Sequence, residues 1–296
     1  MTISKEKLDS LVTDALAIEH ESAVEAGAVQ FMARMLVQVT LPHSKQTEHV
    51  YERRNGGFNM TMMAKPSVGL PYGTIPRLLL TWLTTEAVRT KSLELDLGSS
   101  MSSFMRSLGM TPTGGAKGSI PRFKEQSKRL FSTNIQCDYQ DENSYQNANF
   151  IIASRMKFWW SMNDTESGLV NNEKNSKPWR SIITLNKDFY DEITSRPVPI
   201  DARALKALRT SSLALDIYTW LTYRFSYLNK KTEIPWKMLE LQFGSQYKES
   251  RIFKLKFNEQ LKRVKVIYPE ANVDFNDKGL ILKPSKSHVK KIITSL

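Results

Sequence analysis

Two stretches of this chain run through the same order of helical periods and turn signals, and each carries a matching pair of short motifs. With apolar residues recurring at 3.6-residue spacing in some segments and alternating in others, this predicts an α+β protein of two tandem winged helix-turn-helix domains related by internal duplication. Length agrees: 296 residues make about two domains, and a 41% hydrophobic fraction with 10% aromatics supplies a core for each. The motifs are Thr81-Trp82-Leu83-Thr84, which returns as Thr219-Trp220-Leu221-Thr222, and Glu125-Gln126-Ser127-Lys128-Arg129, which returns as Glu259-Gln260-Leu261-Lys262-Arg263. Their offsets, 138 and 134 residues, differ by no more than one loop change.

The elements follow in order. Residues 4 to 25 read as a mildly amphipathic helix with Leu8, Leu11, Val12, Ala15 and Leu16 on one side. Phe31 to Leu41 and Tyr51 to Met63 read as strands, the second broken by a turn at Asn55-Gly56-Gly57, with Met32, Met35, Met60, Met62 and Met63 as core filler. Thr74 is placed to cap a helix that carries Pro76 in its first turn and Leu79, Trp82, Leu83 and Ala87 along it. A short strand at Leu93 to Leu97, a helix begun by Ser99 or Ser100 and stopped by Gly109, and a helix from about Pro121 to Ser132 capped by Ser119 come next. Extended stretches at Asn134 to Gln140 and Ala148 to Trp160 make a hairpin.

A polar linker at Asn163 to Lys177, a strand at Arg180 to Leu185 and a break at Arg196-Pro197-Val198-Pro199 separate this series from the next. Asp201 opens a helix, Ser211 or Ser212 starts a longer one reaching Leu228, Trp236 to Phe243 forms a third before Gly244, and residues 248 to 265 form a fourth. Val273 to Leu282 closes the series as a hairpin with a basic tip. The resulting division is an acidic helix at 1–30, a first winged-helix domain at 31–162, a linker and strand at 163–199, and a second winged-helix domain at 200–296.

Charge bears on function. Forty-two Lys and Arg against thirty Asp and Glu leave +12, which favours a polyanionic partner, nucleic acid ahead of membrane. The first thirty residues are acidic, Lys5 and Lys7 standing against Glu6, Asp9, Asp14, Glu19, Glu21 and Glu25, so they are a poor polyanion contact. The lone Cys137 excludes a disulfide framework and a cysteine-rich zinc site, and suits a reducing compartment. With no apolar run of 18 residues and no signal-peptide pattern, a soluble cytoplasmic protein without membrane association is expected.

On the helix at 248–265, Phe253, Phe257, Leu261 and Val264 gather on one side and Arg251, Lys254, Asn258, Lys262 and Lys265 on the other. A recognition helix needs this segregation: an apolar face to dock it and a row of donors for phosphates and base edges. Leu255, among the cations, is a blemish or a contact for a thymine methyl. The earlier basic helix offers Arg122, Lys124, Lys128 and Arg129, and Arg263 belongs to the same repeated motif as Arg129. Glu125 and Glu259 stand four residues before those two arginines and can pair with them. Lys278 and Lys283 suit a wing lying along the phosphate backbone, and Lys286, Lys290 and Lys291 read either as its extension or as a basic tail.

Catalytic readings fare worse. Gly109 to Gly114 mimics the start of a phosphate loop, but Gly115 and Ala116 stand where Lys and Ser or Thr are required. His20, His43, His49 and His288 form neither His-x-His nor HExxH. No catalytic residue, cofactor or metal is expected.

The runs LPYGTIPRLLLTWLTTEAVRT (Leu70 to Thr90), LDLGSSMSSFMRSLGM (Leu95 to Met110), GGAKGSIPRFKEQSKRLF (Gly114 to Phe131), DARALKALRTSSLALDIYTWLTYR (Asp201 to Arg224) and IPWKMLELQFGSQY (Ile234 to Tyr247) resemble the plasmid-encoded RepA replication initiator family. The similarity spans roughly residues 30 to 285. It implies a protein that binds direct repeats in double-stranded origin DNA, opens the duplex with a host initiator, recruits the replicative helicase and exchanges between monomer and dimer. Related initiators with two winged-helix domains often dimerise through the first and read DNA mainly through the second. A DNA-binding transcriptional repressor without initiation activity is the alternative.

Overall fold

The computed structural model describes residues 5–98, 100–157, 181–244, 247 and 249–289. A preamble of α1 (Lys5–His20), β1 (Val29–Met32), α2 (Arg34–Gln38), β2 (Val50–Asn55) and β3 (Phe58–Ala64) leads into α3 (Thr74–Thr90), β4 (Glu94–Asp96), α4 (Met101–Ser107), α5 (Ser119–Phe131), β5 (Thr133–Gln140) and β6 (Tyr145–Ile151). After β7 (Ala153–Lys157), β8 (Ile182–Leu185), α6 (Lys187–Ser195), β9 (Val198–Asp201) and α7 (Ala202–Leu208), the order helix, strand, helix, helix, hairpin occurs again. It is carried by α8 (Ser212–Phe225), β10 (Thr232–Pro235), α9 (Trp236–Phe243), α10 (Ser250–Ile267), β11 (Val273–Phe275) and β12 (Gly279–Leu282). The mixture of helices and antiparallel sheets is α+β.

Capping side chains start several helices where the sequence placed them. Ser100 accepts from the Ser103 N–H, Asp201 from Arg203 and Ser211 from Ala214, each satisfying a donor that the first helical turn leaves open. Gly244, in the left-handed region, ends α9. Two expected caps are corrected. Gly73 and Gly118 hold the cap positions of α3 and α5, and Ser119 instead accepts from the Thr113 N–H and donates to Thr111 O, pinning the loop that precedes α5.

In each series the three helices meet around a chain of aromatic rings. Trp82 of α3 meets Phe104 of α4 edge-on at 4.7 Å, and Phe104 meets Phe123 of α5 at 5.9 Å. Trp220 of α8 meets Phe243 of α9 at 5.3 Å, and Phe243 meets Phe257 of α10 at 5.2 Å. Both tryptophans belong to the repeated Thr-Trp-Leu-Thr motif, so the motif marks the packing centre of each helical triangle.

The sheets differ. In the second series β10, β12 and β11 form one antiparallel sheet in that order. In the first, β5 and β6 extend a four-stranded sheet ordered β2-β3-β5-β6, while β4 pairs with β8 and β8 with β7. A strand from beyond the hairpin thus separates β4 from the continuation of β6.

Three devices join the series. Strands β1 and β9 pair antiparallel from Val29↔Asp201 to Met32↔Val198. Helix α1 packs on α7 and α10, tied down by Arg203, which donates to Ala17 O and Glu21 O. Arg77 of α3 reaches Asp216 of α8 through two bonds of 2.7 Å and also donates to the carbonyls of Leu41, Pro42 and Gly73. His43 Nε2 lies 2.7 Å from the same carboxylate. Burial pulls the His43 pKa below its ordinary value; burial alone would raise that of Asp216, but Arg77 and His43 bring it below the usual carboxylate range.

Five further corrections concern local structure. Phe31 to Leu41 is the end of β1 followed by α2, not a strand, and Met35, Leu36 and Val37 are buried by that helical turn. The break around Pro197 and Pro199 is strand β9, whose Pro199 sits opposite Phe31. The second hairpin strand of the first series begins at Tyr145, and α8 stops at Phe225. Met63, expected in the core, is exposed, whereas Met32, Met35, Met60 and Met62 are buried. The linker at Asn163 to Lys177, Phe158 to Trp160, Arg180, Ser99, Lys290 and Lys291 lie outside the described residues.

Candidate nucleic-acid interface

Helix α10 packs on α8, α1, α9 and α7 and buries Phe253, Phe257, Leu261, Val264 and Ile267, so its opposite side is turned outward. Arg251 is almost fully exposed, its Nε 4.0 Å from Glu249. Lys262 and Lys265 are exposed and Lys254 and Asn258 half-buried along the same side. Leu255, 64% exposed, stands among them. The five donors therefore form the single row that their spacing requires.

The β11–β12 hairpin is fastened beside this row. Trp236 Nε1 donates to Asn276 O at 2.9 Å, and the Asn276 side chain accepts from the Lys278 and Gly279 N–H groups, shaping the tip. Lys254 lies 5.7 Å over the Trp236 ring and reaches Asp277 O, while Lys265 donates to Val273 O at 3.2 Å. Lys283 pairs with Asp274 at 2.7 Å; that bond and charge hold the Asp274 carboxyl below its usual range, with smaller contributions from Lys265 and Lys231. Lys278 is exposed at the tip. Arg251, Lys254, Asn258, Lys262, Lys265, Lys278 and Lys283 are thus brought to one helix face and its adjoining hairpin. Lys231, in the turn before β10, and Phe275, 51% exposed on β11, join the same cluster. Sequence reasoning passed over both, since a lysine in a turn and an aromatic in a strand carry no periodic signal.

Asn258 Oδ1 is buried and has no hydrogen-bond partner among the described residues. Reading an adenine edge with both amide atoms requires the carboxamide to rotate outward, which would release that oxygen from its unsatisfied position.

The first basic helix presents less. Arg122 and Lys128 are exposed and Lys124 is half-buried, but Arg129 is withdrawn from the contact face. It is 8% exposed, donates to Leu70 O at 3.1 Å and pairs with Glu125 at 2.8 Å, so it anchors the chain entering α3. Arg263, at the same place in the second copy of the motif, donates to Gln260 and to Thr210 Oγ1, two residues before α8 begins. Glu259 pairs with Lys256 at 3.0 Å instead of the expected Arg263. Both arginines of the repeated motif thus hold the segment leading into their own first helix. The described part of the expected basic tail is packed as well: Tyr268 donates to Lys286 O, His288 bonds Tyr218 and Val289 is buried.

Among the described residues, no group of three or more His, Cys, Asp or Glu could hold a metal ion, and no helix is long and apolar enough to cross a membrane.

A family model described as plasmid encoded RepA protein matches residues 70–237. No curated protein matches the chain. Two solved structures share the fold: a crystal structure of selenomethionine derivatives of domains 2 and 3 of RctB, at TM-score 0.54 and 14% identity over 85% of this chain and 96% of that one, and a crystal structure of RctB domains 2–3, at TM-score 0.51 and 14% identity over 84% and 96%.

Proposed function

Since the chain belongs to the plasmid encoded RepA protein family, we propose that it is a plasmid replication initiator that binds direct repeats in double-stranded origin DNA. In this reading it promotes opening of the duplex, engages a host initiator and the replicative helicase, exchanges between monomer and dimer, and performs no catalysis of its own. The two helical triangles with their hairpins act as tandem winged-helix units descended from one, bounded near 31–162 and 200–296. Their recurrent element order and matching Trp-Phe-Phe chains support that descent.

The observation that carries the reading is the outward row on α10 beside the pinned hairpin. An α-helix fits the major groove, and its exposed donors then meet base edges while the hairpin lysines meet phosphates. Arg251, Lys254, Asn258 and Lys262 make the groove contacts; Lys265, Lys278 and Lys283 the phosphate contacts; Arg122, Lys124 and Lys128 extend the footprint.

Titrating the full chain against duplexes cut from the DNA that flanks its gene, with any direct repeats there intact or scrambled, tests this. Arg251→Ala or Asn258→Ala should cost about 1–3 kcal/mol and relax preference at one base pair, whereas Lys283→Ala should weaken all sequences alike and lower the salt slope by about one. Equal loss on specific and random duplexes for every variant would remove the groove assignment. Specific binding without origin melting or helicase loading in the presence of host factors would instead make the protein a repressor.

A further inference from the structure

A fourth contact between the two series lies at β2, an edge of the four-stranded sheet, where helix α9 packs against it. Arg53 of β2 donates to Gly244 O at 2.6 Å, the carbonyl of the residue that closes α9. A cation there faces the negative end of the helix dipole. The guanidinium lies 4.0 Å over the Tyr51 ring, the Tyr51 hydroxyl donates to Thr40 O, and Thr40 Oγ1 donates to Gln242 O at 3.3 Å. Two carbonyls at the end of α9 are thus gripped by side chains from β2 and the segment before it. Residue 244 must be glycine for this approach: its φ is +54°, and a Cβ there would stand 1.4 Å from Arg53 Nε.

As an adhesive the contact is poor. Arg77, which also crosses between the units, has a carboxylate partner and a bond on every nitrogen. Arg53 has neither: among the described residues no carboxylate pairs with it, and its Nε is buried without a hydrogen-bond partner, as is Gln242 Nε2. Burial pulls the Arg53 pKa below its ordinary value, with only Tyr51 opposing. An apolar side chain would join the two surfaces without an uncompensated charge. What a charged, directional bond adds is a fixed angle for the end of α9.

That angle matters because α9 is fastened to everything on the basic face. Ser250 Oγ donates to Glu240 at 2.7 Å, Phe257 of α10 meets the rings of Trp236 and Phe243 at 5.9 and 5.2 Å, and Trp236 Nε1 holds the hairpin through Asn276 O. A tilt of α9 therefore displaces the donor row and the hairpin lysines together. We propose that Arg53 is a positioning residue for DNA reading: from the first unit, and without touching DNA, it fixes the end of α9 and so aims the row on α10. This rests on the reading of that row as the groove contact. Base edges demand placement to about half an ångström, whereas phosphates accept looser contact, so loss of Arg53 falls on specific binding and spares random binding. If about a tenth of the molecules then hold the competent orientation, apparent affinity drops about tenfold.

Binding of the full chain to the gene-flanking duplex and to a random duplex, each over a range of salt, tests this. Arg53→Met should weaken the specific complex about tenfold and leave random binding and the salt slope unchanged. Arg53→Lys, which keeps a donor for Gly244 O, should recover part of the loss, and it takes over both readouts if Arg53→Met does not fold. A salt slope lowered by about one would make Arg53 a phosphate contact, and a lower melting temperature with the specific-to-random ratio intact would make it a packing contact; either result overturns the proposal. Amide hydrogen exchange read by mass spectrometry needs no DNA, so it separates this inference from the function it rests on. The backbone from Trp236 to Asn258 should exchange faster in the variant while β3 and β5 stay protected as in the parent chain. Equal exchange in the two chains would overturn the positioning role. A parent chain that binds no duplex specifically, with exchange still responding to residue 53, would remove the DNA reading and leave Arg53 as the residue that sets α9 and α10.

Discussion

The two helical triangles use the same Trp-Phe-Phe chain and differ in what surrounds it. Around α8, α9 and α10 the sheet is closed by the unit's own three strands, Trp220 is buried and the basic helix faces solvent. Around α3, α4 and α5 the strands pair with the preamble and with β8, Trp82 is half-buried, and the basic helix commits Arg129 to the fold. A helical triangle therefore tolerates exchange of its strands: ring contacts define the unit, while hairpins are free to find other partners. The second unit keeps its basic side exposed, whereas the first uses part of its own for architecture, and among the described residues no strand pairs with the outer side of its β6.

The largest effect should come from the joint between the units. Asp216→Ala strands the Arg77 guanidinium, 3% exposed, without its partner, and about 3–5 kcal/mol of stability should be lost in urea unfolding. If the units unfold separately, only one transition will move; a joint of this kind predicts that both do. Next, Trp220→Ala should cost about 3–5 kcal/mol and Trp82→Ala about half as much, as their burial differs. Equal costs would mean that the first triangle is as closed as the second. Smaller again, Arg129→Ala should destabilise by about 1–3 kcal/mol and Arg263→Ala by less than about 1 kcal/mol, in chemical denaturation without DNA. The reverse ranking would reopen Arg129 as a DNA contact.

The weakest test is titration of the joint. The folded pKa of His43 lies below its ordinary 6.5 because burial disfavours the cation, so the unfolded chain binds the proton more readily. Its contribution to stability is held above pH 6.5 and falls as pH drops below it; Asp216, also lowered, adds a loss in the same direction only below its ordinary 3.8. His43→Gln should flatten the slope of melting temperature against pH between 6.5 and 5, for both units together.

Much of this organisation was legible in the residues. Trp236 to Phe243 with Gly244 and the apolar stripe of α10 obey local rules, caps and 3.6-residue spacing, that tertiary contacts did not override. What escaped was decided by distant partners. Pro197 and Pro199 read as a break because proline punctuates local structure, yet they flank and occupy a strand whose pairing partner lies near residue 30. Arg129 looked like its exposed neighbours Arg122 and Lys128; only the fold brings Leu70 O within its reach. The row on α10 was readable since one helix contains it, and Lys231 was not, since it joins that row through space.

The pairing of β1 with β9, and of α1 with α7 and α10, also sets an order of events during synthesis. Strand β1 can pack on α3 early and meets β9 once residue 201 is made, but α1 finds all of its packing partners only when the chain has been made as far as Ile267. At roughly 5–20 residues per second, the acidic helix waits about 10–50 s on the ribosome while the intervening triangle is free to form. A nascent chain stalled before α10 would present a folded first unit whose leading helix still lacks part of its seat.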